Sequence, residues 1–557
     1  MTEVFDAIVI GSGAGGGAAA WALARRGVSV LLLEAGPAYD PFTDYKLDRP
    51  DWESQHFPAK VSTKGRQTVA PLQKLEKKWS HLKSQNRHTG YYNPGERRAN
   101  WDYSHVVGLG GSTLHFTGEA HRMNPRAMRM RSRFGVAADW PMDYAELEPF
   151  YLEVERLIGV AGPTVDTMRP RSAPFPLPAH GLSYASRKIA EGCRSLGHDF
   201  VANPRAALPE PYDNRPACNY CGQCNRGCPR TDKGSVDVTF IPKAVATGKC
   251  TVRTEATVTR ILAGAGDRVT GVEYVDAARA MHKAEGRTVV VACGAVETPR
   301  LLLASTNEHA PDGLGNESGL VGRNFMETLY WIASGLHDEP LGSHRGLPAD
   351  AICWDYNASN AIPGIVGGFR FGSAVQEADL TGPKAYATRA VGGWGHAHKR
   401  AMRKQFGHAL SVGAIGESLP HPGSYIDLDP TARDKNGVAL ARIHSYLDET
   451  ELGRLTFMAR KVREVLDASG AGDIFEEYGA YDGFQPTHVF GTCRMGADPE
   501  DSVVDPYGRC HRWRNLVVAD ASVFPSSGGG ESPALTIEAL AVRGARRLAD
   551  RAKRGEL

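Results

Sequence analysis

The sequence contains no apolar stretch that approaches the length needed to cross a bilayer; its longest candidate, residues 28–33 (VSVLLL), has the length of one buried strand. It also lacks an excess of either charge. Lysine and arginine number 65 against 63 aspartate and glutamate, a formal net charge of +2, and a nucleic-acid groove requires a clear basic surplus. The one dense basic cluster, Lys399, Arg400, Arg403 and Lys404, reads as a solvated helix face. There is no internal repeat and no low-complexity tract. The N-terminus opens directly into a strand, without the charged region, apolar region and cleavage site of an export signal. The chain is therefore expected to be cytoplasmic, or exported while bound to a partner that carries the signal. A disulfide framework is missing too: four of the ten cysteines crowd into residues 218–228, a spacing that points to metal or redox chemistry.

What is present reads as a globular protein. At 557 residues the chain is too long for one hydrophobic core, so two lobes are the default expectation. Residues 6–10 (DAIVI) form an apolar run of strand length ending in GSGAGG. Residues 18–26 read as a helix of small residues and leucines stopped by Gly27, and residues 28–33 form a second buried strand ending at Glu34. This is a complete β-turn-α-β unit. Gly11, Gly13 and Gly16 make G-x-G-x-x-G at its turn: Gly11 permits the tight turn, Gly13 lets backbone approach a pyrophosphate, and Gly16 packs helix on strand. Free N–H groups at the helix start face the phosphates. Glu34 sits where a carboxylate binds ribose hydroxyls. The pattern by itself does not separate FAD from NAD.

Further along, residues 37–100 dissolve into prolines, aromatics and charges and read as a lid-like excursion, with a basic helix-like piece near residues 72–83. Residues 143–158 have helical spacing, with Asp143 as the expected N-cap. Residues 251–275 are β-rich, residues 288–291 form another buried strand, and residues 534–553 form a closing helix. Trp331, Trp354, Tyr356 and Trp394 suit a substrate-facing lobe or simple core packing. Cys193, Cys250, Cys293, Cys353, Cys493 and Cys510 read as ordinary buried cysteines.

Three more segments carry a resemblance: residues 108–122 (GLGGSTLHFTGEAHR), 294–305 (GAVETPRLLLAS) and 488–496 (HVFGTCRMG), the last followed by residues 515–543 (NLVVADASVFPSSGGGESPALTIEALAVR). In this order and spacing they resemble the glucose–methanol–choline (GMC) oxidoreductase family over nearly the whole chain. The resemblance implies an α/β fold: a Rossmann-like FAD-binding domain assembled from discontinuous segments, with a second, α+β substrate-binding domain. FAD-domain segments are then expected at 1–150, 215–326 and 486–557, and substrate-domain segments at 151–214 and 327–485. It also assigns residues. Gly110, Gly111 and Ser112 fall where the family wraps the flavin and its diphosphate, Val258 where backbone meets adenine, Asp520 and Ala521 at the pyrophosphate and ribityl chain, and Thr536 near the flavin's pyrimidine edge. His115 falls where some members bond flavin covalently and others place an unbonded histidine; both readings stay open.

His488 is the expected catalytic residue. Removing a hydride from an alcohol requires a base for the hydroxyl proton, and neutral histidine suits that task; in the family motif H-x-x-G-T this histidine faces flavin N5. Most relatives place Asn or His where this chain has Ser532, which can hydrogen-bond substrate oxygen but is not a second base, so a neighbour such as Glu531 becomes a candidate to share the role. Cys218, Cys221, Cys224 and Cys228, with Pro229, give C-x2-C-x2-C-x3-C-P, the spacing of bacterial ferredoxin ligands. Cys218, Cys224 and Cys228 also resemble the triplet of some bacterial sugar dehydrogenases. A 3Fe-4S or 4Fe-4S cluster, a zinc knuckle and merely packed thiols are the alternatives. The implied enzyme is an FAD-dependent dehydrogenase of a sugar, polyol or other alcohol, passing electrons through the cluster to a cytochrome or quinone and paired with a small subunit. An oxygen-using oxidase and a flavin-dependent lyase of the same fold are its rivals.

Overall fold

Residues 5–10 are apolar or small almost without interruption, and strand β1 (Val4–Ile10) accordingly lies buried on both faces, as the interior of a parallel sheet requires. The computed structural model describes residues 4–45, 60–61, 65–93, 95–101, 103, 105–164 and 168–556. Helix α1 (Ala14–Ala24) follows the turn, and its glycine- and alanine-rich surface lets it pack closely. Strand β2 (Val30–Leu33) returns parallel to β1, with Ala7 opposite Val30 and Ile10 opposite Leu33. Both elements are shifted from the expected bounds, since hydrogen bonding rather than apolar run-length sets where they begin.

The same sheet is completed from distant segments. Strand β3 (Cys250–Arg253) adds to β2 in parallel, and β4 (Thr257–Ala263), β5 (Val269–Val275) and β6 (Met281–Val291) form an antiparallel meander. Strand β6 does two jobs. Residues 281–285 pair with β5, and its apolar end pairs in parallel with β1, Ile10 lying opposite Val291. Helix α2 (Gly294–Ala304) then carries the chain away.

The second domain is built on an eight-stranded antiparallel sheet. Its centre is β7 (Leu329–Leu336), β8 (Ala351–Cys353), β9 (Phe369–Ser373) and β10 (Ala409–Gly416). Helix α3 (Glu449–Ala468), opened by an Asp448/Glu451 capping box, buries Leu455, Met458 and Val462 against Trp331, Phe369 and Leu410. Strand β11 (Asp473–Gly479) pairs with β7. The chain finally returns to the first sheet with β12 (Leu516–Val518) beside β6, and ends in helix α4 (Ala534–Lys553), which packs on α1. The architecture is α/β: a Rossmann-like domain assembled from discontinuous segments, with a second α+β domain.

Several local expectations change. The helix expected at 143–158 spans Tyr144–Ile158, but Asp143 gives no capping bond, because its carboxylate is taken by Arg129. Of the helix-like piece at 72–83 only Lys77–Leu82 coils, as a 3-10 helix. The excursion 37–100 lies partly outside the described residues, while its strands Gln85–Asn86 and Gly90–Tyr91 extend the second sheet's edge. Trp331 is fully buried, whereas Trp394 is 88% exposed beside helix Gly395–Gln405, which carries the basic cluster and buries none of its residues. Cys293 is only half-buried.

Candidate active site

A cavity of about 990 Å³ runs from the carboxyl ends of β1 and β2 to the face of the second sheet. Such a crevice at strand ends is where open α/β sheets bind ligands. At one end it is lined by Gly11, Gly13, Glu34, Gly111, Ser112, His115, Val258, Asp520 and Ala521. Gly11 has φ +89°, and a Cβ there would lie 2.6 Å from the Ala292 carbonyl oxygen, so the turn requires glycine. Gly13 faces Gly111, whose added Cβ would sit 2.7 Å from Gly13 Cα. The two glycine loops thus touch across the cavity wall, and among the described residues no side chain fills the cradle they make. Glu34 closes this end. Its carboxylate accepts from the backbone N–H and hydroxyl of Ser12 at 3.0 and 2.6 Å and from Gly36 N–H at 2.9 Å. Burial raises its pKa, and these bonds work against that rise. The residues fit a dinucleotide, with backbone N–H groups for a pyrophosphate and a carboxylate for a ribose.

Gly16 and Gly110 sit behind this surface, Gly16 packing α1 against the Gly11 turn. Asp520 accepts from Gly294 N–H and the Thr298 hydroxyl, which pins α2 to the last motif. Thr536 lies next to the cavity wall without lining it. It is fully buried, its hydroxyl 2.9 Å from Tyr151 OH, and Pro533, Ala534 and Ile537 line the cavity instead.

His488 and Ser532 line the other end. Thr328 holds the His488 carbonyl through its N–H and hydroxyl, both at 3.0 Å. Burial pushes the His488 imidazole down to about 4, with Glu119 favouring and Arg370 opposing its charged form. The imidazole is therefore neutral at physiological pH. Ser532 Oγ donates to Glu119 Oε2 at 2.6 Å, and Arg370 donates to the same oxygen at 2.7 Å. Asn203 Nδ2 donates to Glu119 Oε1 at 2.8 Å. Asn203 Oδ1 lies 2.7 Å from His121 Nε2, and Ser532 N–H donates to His121 Nδ1 at 3.0 Å. These bonds close a ring: Ser532, Glu119, Asn203, His121 and back to Ser532. His121 Nδ1 accepts, so its proton sits on Nε2 and the ring is neutral, in keeping with burial pushing its pKa down to about 3. Burial, the largest influence on Glu119, would raise its pKa, but Arg370, His121, Arg205 and the Ser532 hydrogen bond together outweigh it and hold the carboxyl well below its usual range.

The sequence reading named Ser532 but passed over Glu119, His121, Asn203 and Arg370. The signal available was the GEAHR end of the 108–122 motif, where two ionisable residues lie two apart. Glu531 turns away from the cavity and is held at 2.9 Å by both Arg169 and Asn357. It does not share the site with His488.

Cys218, Cys221, Cys224 and Cys228 line one small concavity. Cys224 is buried, Cys218 and Cys228 half-buried, and Cys221 exposed. Cys228 donates to Asp232 at 3.5 Å, and Cys218 bonds the same carboxylate. Among the described residues no three of these sulfurs lie within 4.8 Å of one another. A tetrahedral zinc with Zn–S near 2.3 Å would hold its sulfurs about 3.8 Å apart, so the loop is more open than a zinc knuckle. Lys233 joins this loop to the dinucleotide end. Its fully buried ammonium donates to the carbonyls of Cys224 at 2.7 Å, Leu114 at 2.8 Å and Phe116 at 3.1 Å, and Asn225 itself lines the large cavity.

A Rossmann-type dinucleotide cradle that shares one cavity with a neutral imidazole, against the face of the second domain's sheet, defines a cofactor-dependent oxidoreductase. The chain belongs to the GMC oxidoreductase family: its N-terminal model matches residues 126–329 and its C-terminal model residues 420–541. A model of the NAD(P)-binding Rossmann-like domain matches residues 9–39. The family implies flavin dependence. The chain is 30% identical over 553 residues to 2-methyl-1,2-propanediol dehydrogenase of Mycolicibacterium austroafricanum, covering 97% of this chain and 94% of that one. It is 29% identical to the fructose dehydrogenase large subunit of Gluconobacter japonicus, covering 99% and 98%. The crystallised formate oxidase of Aspergillus oryzae RIB40 shares the fold, with a TM-score of 0.66 at 15% identity over 100% of this chain and 99% of that one.

Proposed function

We propose that the protein is an FAD-dependent dehydrogenase that oxidises a CH–OH group of a polyol or sugar. One observation carries the reading: the glycine cradle and the neutral His488 open into the same cavity. When bound, FAD supplies the hydride acceptor. His488 takes the hydroxyl proton as the carbinol carbon gives up hydride, and Glu119 favours the imidazolium that results. Ser532 has committed its own proton to Glu119, so its oxygen can only accept, from a neighbouring hydroxyl of the substrate, and the single proton of the reacting hydroxyl is left to His488. Gly11, Gly13, Gly111 and Glu34 hold the dinucleotide, and His115, on the cavity wall, is the residue for any covalent flavin link. The diol and the sugar in the names of two relatives support a hydroxyl-rich substrate.

In this reading Cys218, Cys221, Cys224 and Cys228 hold an iron–sulfur cluster, which supplies one-electron transfer to an external cytochrome or quinone. Their shared concavity and the buried Lys233 cation beside them support it. A small partner subunit belongs to the same reading, supported by the relative named as a large subunit. The bonds of Cys218 and Cys228 to Asp232 favour a second reading, an oxidase with a metal-free loop that delivers electrons to oxygen.

Absorption and EPR spectra of anaerobically purified protein, before and after adding alcohol or sugar, decide between them. Flavin bands that bleach with substrate, together with a broad iron–sulfur shoulder and a cluster signal, support the dehydrogenase. Flavin bands alone in protein that has kept its metals sink the cluster and leave the oxidase. A flavin that stays oxidised while substrate is converted points to a lyase and ends both.

A further inference from the structure

Glu377 follows strand β9 in the second domain, and its side chain projects into the cavity that holds His488 and Ser532. Among the described residues its carboxylate makes no ion pair and no side-chain hydrogen bond; the donor that reaches it is its own backbone N–H. The buried carboxylates Glu119, Glu476 and Glu531 are each held. Glu119 has Arg370, Asn203 and Ser532. Glu476 has Arg389, Tyr92 and Asn86, and Glu531 has Arg169 and Asn357. The Glu377 side chain is solvent-accessible within the cavity, so this unpaired carboxylate is free to meet a ligand, and an unpaired ionisable group on the wall of a reaction cavity marks a functional-site candidate. The protein surrounding the cavity, and then the charge of Glu119, push its pKa up to about 7.

The walls around it decide what it can meet. Ile332, Ala374 and Ile415 give this part of the cavity apolar surface, suited to the carbon skeleton of a substrate. A monohydric alcohol bound there would displace water from the carboxylate without replacing its hydrogen bonds, and a site built around a polar group discriminates against a ligand that leaves it unpaired.

We propose that Glu377 is a substrate-positioning residue that accepts a hydrogen bond from a second hydroxyl of a polyol or sugar while the carbinol being oxidised lies at His488 and Ser532. This rests on the alcohol-oxidising reading above, and it adds the feature that selects hydroxyl-rich substrates over simple alcohols.

The test compares wild-type holoenzyme with Glu377→Ala and Glu377→Gln, using anaerobic flavin reduction by a panel of four- to six-carbon polyols and sugars and by the monohydric alcohols of matching carbon number. The wild type is expected to prefer the polyols. In Glu377→Ala that preference falls by about tenfold or more, the scale of a lost hydrogen bond to a charged group, and the change appears in KM rather than kcat. Glu377→Gln, which keeps an acceptor, retains part of the preference. An unchanged ratio in Glu377→Ala, or a wild type that prefers monohydric alcohols, overturns the proposal while leaving alcohol oxidation intact. If no alcohol reduces the flavin, the alcohol-oxidising reading fails. A titration of polyol against the absorbance of the oxidised flavin still decides: a perturbation present in wild type and lost in Glu377→Ala supports the residue's role, and its persistence or its absence from both overturns it. Matching melting curves establish that the variants are folded.

Discussion

Ser532 Oγ donates a 2.6 Å hydrogen bond to Glu119 Oε2, joining positions 413 residues apart at the reaction end of the cavity. The bond fixes which way the serine proton points. With that proton on the carboxylate, Ser532 offers the substrate only a lone pair, and proton removal falls to the neutral imidazole of His488. The same carboxylate faces that imidazole electrostatically, so one residue both orients the serine and favours the charge the histidine acquires.

Cutting this bond separates the two effects. Ser532→Ala leaves Glu119 with Arg370 and Asn203, and about 1 kcal/mol of stability is expected to go with one hydrogen bond. Glu119→Ala leaves Arg370 buried without its partner, at a cost of about 3–5 kcal/mol. Urea unfolding of the two variants measures the difference, and equal losses would contradict this account of the pair.

The pH profile of flavin reduction follows from His488. Its folded pKa of about 4 lies below the ordinary value of 6.5, so the base is free throughout the neutral range and is lost only as pH falls through 4. A flat profile above that point and a tenfold loss per pH unit below it are expected. Replacement by Asn should slow reduction by about 10²- to 10⁴-fold while FAD stays bound. An inflection near 6.5 would show an imidazole in contact with water.

Stability carries a pH dependence of the opposite kind. Glu417 is fully buried, accepting from the Ser359 hydroxyl and Gly368 N–H, and burial raises its pKa from 4.5 to about 7. The folded state then binds a proton that the unfolded state has released between these values. The resulting stability is complete below about 4.5 and declines as pH rises towards 7, by up to about 1.4 kcal/mol per pH unit. Glu451, likewise raised to about 7, adds to the same slope. Glu417→Gln, which resembles the protonated acid, should flatten the slope in denaturant titrations run at stepped pH.

Lys233 tests the link between the cysteine loop and the dinucleotide end. Lys233→Met removes three donors from buried carbonyls, and the variant should release FAD at a lower temperature and hold less iron per chain. Cys224→Ser should lower iron alone. Independent behaviour of FAD and iron in Lys233→Met would contradict the coupling.

The parts of the fold legible in the sequence are those set by neighbours in the chain. The strand–glycine turn–helix unit is one, because a positive φ at Gly11 and an unbroken apolar run are local demands. The closing helix is another, since its apolar spacing repeats over five turns. Expectations failed where a distant group competed. Asp143 had the residue type and position of an N-cap, yet Arg129 took its carboxylate.

By itself the sequence determined the dinucleotide cradle and put His488 and Ser532 forward as cavity candidates, because each rests on residues close together in the chain. Only the tertiary structure decided the ring of Ser532, Glu119, Asn203 and His121, the outward turn of Glu531, and the unpartnered carboxylate of Glu377. The physical reason is that a buried polar group takes its role from the donors and acceptors it meets, and here those partners come from segments 82 to 413 residues away. Composition and spacing say which groups can bond; folding decides which of them do.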